Sequence, residues 1–491
     1  MEELSKLNYI NVGPKGTFQS SGNSEFDTVP KDVDNIFEEM EKKGTRKILL
    51  YFHGGLVRGA AGMATATYVT KTLAPLTDTQ LISFVWETGL FETVKQNLDT
   101  IYKTDFFRKI LEKVIKVAGD KLGIDVKTIT GIRGVSTLSY PEINAELSSE
   151  APFDDCKVNI ATRSANVISS NDRFLMDEIE VSVEEEIQDD AALNRSLIEM
   201  MSDQEFGMLD RSKVVNVPQP GSRGILSLAK LIKSAVKVIY NVIKRHVNKR
   251  DHGFYPTIIE EILRELYVAD IGVFLWGAMK TKAEVMWQSN GKVEDPLDQH
   301  AGDYFLSKLQ EFTKDKEVSI DLIGHSAGAI VICHLVKELL SRKLNVKIRN
   351  TIFMAPACRS DLFFNNMIPN MNKIGAFRMF TMEEELEIKD RCIPLIYTRS
   401  LLYMISGILE KDEYDAAILG MQRYLLPNHP YDVDAMLNKI AEDLKGIPNS
   451  TIYSLTKDDA PPGQRCVADH HGNFYTKNAL TMDSILEILK P

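Results

Sequence analysis

Val318-Ser-Ile-Asp-Leu-Ile323 runs directly into Gly324-His325-Ser326-Ala327-Gly328, and beyond it Ile330, Val331, Leu335 and Leu339 recur at helical spacing. The first stretch reads as a buried strand and the last as a helix starting near Ala327. Between them a serine must sit on a sharp strand-to-helix turn. Such a turn forces the serine into a strained backbone conformation, and a bulky residue on either side of it would clash, so glycines at 324 and 328 fit the geometry. The hydroxyl is then held clear of the sheet, and the amide of Ala327 points toward any carbonyl oxygen reacting with it.

Other apolar runs extend the pattern. Lys47-Ile-Leu-Leu-Tyr-Phe52 is a short strand ending in His53-Gly54-Gly55-Leu56, and Gln80-Leu-Ile-Ser-Phe-Val-Trp86 is continuously apolar, as a parallel strand covered on both faces requires. After that turn come Asn350–Ala355, Phe377–Met382 and Thr451–Leu455, separated by segments long enough for helical crossovers. The first 30 residues are turn-rich and read as an irregular lead-in to a helix at about Lys31–Lys43.

Taken together, residues 45–120 and 260–491 resemble the α/β-hydrolase superfamily, in particular serine esterases and lipases. Gly324, His325, Ser326, Ala327 and Gly328 match its nucleophile elbow, and His53-Gly54-Gly55 matches an HGG-type oxyanion loop. Leu56 stands where some esterases carry a third glycine, so the donating amide is that of Gly55 or Leu56, together with Ala327. The resemblance implies an α/β fold with a mostly parallel central sheet flanked by helices. It implies no cofactor and no metal.

It also implies the chain order serine, acid, histidine. Of the nine histidines, His53 and His325 belong to the motifs and His334 lies on the helix behind the serine. His429, His470 and His471 remain, and only the last two follow the final strand and precede an amphipathic C-terminal helix. His471 is preferred because Gly472 lets its loop turn the ring inward; His470 is the competitor, and a polar surface pair beside Asp469 is the bland reading. The acid is expected just past Phe377–Met382. Glu383 is the first choice there, with Glu384 and Asp390 as alternatives and Asp361 as an outside one; a run of three glutamates is also how a solvated helix commonly begins.

Composition bounds the rest. A chain of 491 residues, 44% hydrophobic and 26% charged, has an ordinary globular balance. A net charge of −11 argues against nucleic-acid binding, which needs a basic face. Five scattered cysteines without metal-like spacing suggest free thiols and a cytoplasmic setting. The first residues show no basic-then-apolar leader, and no apolar run is long enough for a membrane span.

The expected organisation is a core in two parts, 1–120 and 261–491, around an inserted helical cap or lid at 121–260. The insert is electrostatically divided: Asp172–Asp210 holds thirteen acidic residues and two arginines, whereas 222–250 holds eight Lys and Arg and no acid. In the basic part Ile225, Leu228, Ile232, Val236, Ile239 and Ile243 form one stripe. That amphipathic helix suits either a peripheral membrane contact or a packed cap helix facing the acidic segment.

The expected activity is cleavage of a small-molecule or lipid ester through Ser326, His471 and Glu383. An amidase or peptidase with the same residues, and a regulated or non-catalytic hydrolase-fold effector or binding protein, are the alternatives.

Overall fold

The computed structural model describes residues 4–490 apart from 21, 23, 56–58, 87–89, 126–137, 159–171, 189, 203–207, 217–224, 227, 268–269, 411 and 476–478. The chain forms two compact units. The first comprises Met1–Thr93, Phe274–Asp390 and Ala416–Pro491; the second comprises Val94–Val273 and Arg391–Asp415.

The first unit is built on seven strands: β1 (Tyr9–Val12), β2 (Lys47–Phe52), β3 (Thr79–Trp86), β4 (Val318–His325), β5 (Val346–Met354), β6 (Ile374–Met382) and β7 (Thr451–Ser454). All pair in parallel, in the order β1-β3-β2-β4-β5-β6-β7. Leu49, Tyr51, Ile323, Ile352, Phe380 and Ile452 of these strands enter one core cluster with Met482, Ile485 and Leu489 of the C-terminal helix Ala479–Leu489. On β2 and β3 Phe52 stacks on Phe84, with Trp287 against both rings. Burial of both sheet faces is why these segments read as continuous apolar runs.

Six of the seven strands lie where the sequence placed them. The exception is β1, inside the stretch expected to be irregular. Only four residues long, Tyr9-Ile-Asn-Val12 is fully buried and pairs Tyr9 with Ser83 through Val12 with Trp86. Its existence depends on an open edge of β3, which the local sequence cannot reveal.

The second unit is helical and wider than the 121–260 insert. Helix Leu228–Val247 packs against Asp105–Leu122, Asp172–Ile187 and Phe254–Leu266. Its apolar stripe, including Leu231, Ile232, Val236, Ile239 and Ile243, is buried there. The basic helix thus faces the acidic one, while the described ion pairs run to other helices. Glu186 and Asp190 of the acidic segment pair with Lys113 on Asp105–Leu122, while Lys237 of the basic helix pairs with Glu265 at 2.6 Å.

The same unit holds a fully buried ionic network. Arg245 sits 2.6 Å from Glu260 and 3.0 Å from Glu261, and His252 bridges Glu260 (2.8 Å) and Asp415 (3.1 Å). Tyr397 donates to Glu260 at 2.5 Å. The network ties the Arg391–Asp415 segment to the helices of the same unit.

Candidate active site

The turn after β4 has the strain the glycines announced. Ser326 adopts φ 53°, in the left-handed region that non-glycine residues rarely occupy. It is held there from both sides: its amide donates to Met354 O at 2.8 Å, and its carbonyl accepts from the Ala357 amide at 3.0 Å. Gly328 cannot be larger, because a Cβ there would run into the carbonyl oxygen of Phe52 at the end of β2. Helix Gly328–Ser341 follows, with Ala327 as its N-cap residue. Amides at a helix start have no intrahelical acceptor, so the Ala327 N–H is available beside the serine.

From the other end of the chain, His471 approaches the same point. Its Nε2 lies 2.9 Å from Ser326 Oγ. The ring is buried, and burial drives its pKa well below the usual 6.5, with His325 and His470 adding to the effect. A neutral imidazole whose Nε2 accepts from a hydroxyl carries its hydrogen on Nδ1. That Nδ1 is buried and meets no hydrogen-bond partner among the described residues.

The backbone of His471 is gripped twice. Asp390 Oδ2 accepts its N–H at 2.9 Å, and His325 Nε2 donates to its C=O at 3.1 Å. Burial raises the Asp390 pKa, partly offset by that amide. The His325 ring also lies 5.3 Å from the His471 ring and edge-on to Tyr475 at 4.8 Å. Burial lowers its pKa to about 4, so it stays a neutral donor.

The His53-Gly54-Gly55 loop completes the corner. A Cβ at Gly54 would sit 3.1 Å from His325 Nδ1 and 3.2 Å from Ser326 Cβ, and one at Gly55 would sit 2.8 Å from Ala327 Cβ. Both glycines therefore let the loop touch the elbow. His53 anchors it: Nδ1 meets Gly54 O at 2.7 Å, and Nε2 accepts from the Trp86 amide at 3.1 Å. Each nitrogen has one role in the neutral ring, in keeping with a pKa lowered by burial to about 4.

Residues 273–385, which carry the elbow, match a family model described as "Alpha/beta hydrolase of unknown function (DUF900)". With the parallel sheet, this match fits an α/β-hydrolase fold. No curated protein and no solved structure gives a match. The matched segment excludes the oxyanion-type loop and His471, which only the fold brings to the elbow.

The other expected site residues lie elsewhere. His470 is half-exposed and pairs with Asp469 at 2.7 Å, away from the serine's hydrogen bond. Glu383 is solvent-exposed at the start of the short helix Glu384–Lys389, with no hydrogen bond to His471. Glu384 directs its amide to Gln422. Asp361 pairs with Arg359. Asp390, at the far end of that short helix, is the carboxylate that touches the histidine loop. Leu56 lies outside the described residues. His325 has a structural role that its place in the motif did not suggest. The polar side chain in an otherwise apolar setting was the available clue.

Among the described residues no cluster of three His, Cys, Asp or Glu side chains is arranged to hold a metal ion, and no helix is long and apolar enough to cross a membrane.

Proposed function

We propose that the protein is a serine hydrolase acting on carboxylic esters, with Ser326 as nucleophile and His471 as general base. The 2.9 Å approach of His471 Nε2 to Ser326 Oγ carries this reading. As Oγ attacks the ester carbonyl, His471 takes its proton and later returns it to the departing alcohol. The resulting acyl-enzyme is released by water. The Ala327 amide, with that of Gly55 or Leu56, receives the tetrahedral oxyanion; losing one such donor typically costs about 3 kcal/mol of transition-state stabilisation.

Asp390 serves as a positioning carboxylate that fixes the histidine loop through its backbone. The ester preference follows from the likeness of His53-Gly54-Gly55 to esterase and lipase loops. Five cysteines that form no disulfide, three of them buried, support a reducing, cytoplasmic setting.

The deciding experiment is labelling with a fluorophosphonate probe. Wild type should label, Ser326→Ala should not, His471→Ala should lose nearly all labelling, and His470→Ala should keep it. Labelling that persists in Ser326→Ala refutes the assignment. Faster turnover of matched amides than of esters would move the protein to the amidase class.

A further inference from the structure

Met279 connects the serine corner to a groove that the reaction as described does not use. The residue is 3% exposed, and its thioether fills the position a side chain on Gly55 would take, touching the proposed oxyanion loop beside Ala327. On its other side Met279 lines an open groove of about 560 Å³, together with Pro14, Leu275, Ala278, Lys282 and Val285. That volume falls within the range of small-ligand sites. Phe274, 71% exposed, lies one helical turn before Ala278 and in line with it and Lys282 on helix Asp270–Val285.

Three features give this groove a specific occupant. Its exposed lining is mainly apolar, although Lys15, Thr281, Lys282 and His300 also border it, the lysines through methylene stems. Its inner wall is a methionine, whose three rotatable bonds allow it to swing aside without backbone movement. Through Met279 the groove is also one side chain away from Gly55 and the proposed oxyanion loop.

Resting on the serine-hydrolase reading, we propose that this groove is the acyl subsite and that Met279 is its inner gate. The substrates are then esters of linear acyl chains long enough to pass Met279. Short acyl groups stop at the gate and gain nothing from the groove, whereas longer chains bury methylenes along Leu275, Ala278 and Val285.

The test uses the full chain and a fluorescent dodecanoic acid, titrated by anisotropy into wild type, Ser326→Ala, Ala278→Trp and Ala278→Ser. Ala278 is exposed, so the tryptophan fills the groove without entering a core. Binding should be saturable and equal in wild type and Ser326→Ala, within twofold in Ala278→Ser, and at least tenfold weaker in Ala278→Trp. In parallel, Ala278→Trp should lower the dodecanoate-to-acetate ratio of kcat/KM for 4-nitrophenyl esters tenfold or more. Unchanged binding in Ala278→Trp, no saturable binding by wild type, or an unchanged chain-length ratio overturns the proposal. Groove binding that Ala278→Trp abolishes, without Ser326-dependent labelling, would instead sink the hydrolase reading and leave the subsite standing.

Discussion

His325 Nε2 donates to the main-chain carbonyl of His471 across 3.1 Å, so the residue preceding the proposed nucleophile holds the loop that carries the proposed base. Together with Asp390 at the amide of the same residue, it fixes both main-chain polar groups of His471. A single loop residue is thereby clamped to the elbow and to the segment after β6.

Replacing His325 should therefore act through His471. Phenylalanine keeps much of the volume and removes the donor; glutamine can place an amide N–H near the position of Nε2. His325→Phe should slow fluorophosphonate labelling of Ser326 about tenfold, the about 1.4 kcal/mol expected for one lost hydrogen bond, and His325→Gln should recover most of it. Equal losses in both variants would show that packing alone matters at this position.

At the other clamp, Asp390→Ala removes the acceptor for the His471 amide. Its labelling rate should fall by tenfold or more, while Asp390→Asn, which retains a carbonyl oxygen, should lie between it and wild type. Glu383→Ala should stay within twofold of wild type, because that carboxylate faces solvent. A larger loss in Glu383→Ala than in Asp390→Ala would reverse the roles given to these two residues.

The contrast between Glu383 and Asp390 shows where sequence reading stops. Ser326 stood out because strand, turn and helix are local features, and His471 because it follows the last strand, precedes the C-terminal helix and is followed by Gly472. Burial on both faces made six strands visible as apolar runs. Choosing Glu383 assumed that the residue nearest the strand end is nearest the histidine. The intervening turn of helix, Glu384–Lys389, carries the chain to Asp390 instead, and no periodicity encodes that displacement. Strand β1 was hidden for a related reason: its partner, β3, is some seventy residues away. The Asp105–Leu122 helix is amphipathic like the basic helix of its unit, but which neighbours bury its apolar face is not a local property.

Acid should weaken both the fold and the chemistry. His53 and His325 are buried with pKa values lowered to about 4, and an unfolded histidine titrates near 6.5. Above pH 6.5 both states are neutral and the full stability is present. As pH falls from 6.5 toward 4 the unfolded chain binds protons that the native state does not, so stability is lost across that window. From pH 6.5 to 5 the loss should be about 2 kcal/mol per imidazole, read as a lower urea midpoint, and His53→Gln should make the slope shallower. Because burial also lowers the His471 pKa, the labelling rate should stay level down to pH 6.5 and decline only below it. A midpoint that rises on acidification would contradict the buried, neutral state of these rings.

Arg245 gives a prediction confined to the helical unit. Its guanidinium is fully buried between Glu260 and Glu261. Burial alone would push the Glu260 pKa up, but His252 and Arg245 outweigh it and bring it down to about 2. Arg245→Met deletes the cation that both buried carboxylates share. Breaking a buried pair from one side typically costs about 3–5 kcal/mol, more than a pair contributes when both partners are replaced together. Urea denaturation should show that loss in Arg245→Met and a partial recovery in Arg245→Met/Glu261→Gln, where one of the stranded charges is removed. If the double variant is no more stable than the single one, the cost lies in lost packing around Arg245 rather than in uncompensated charge.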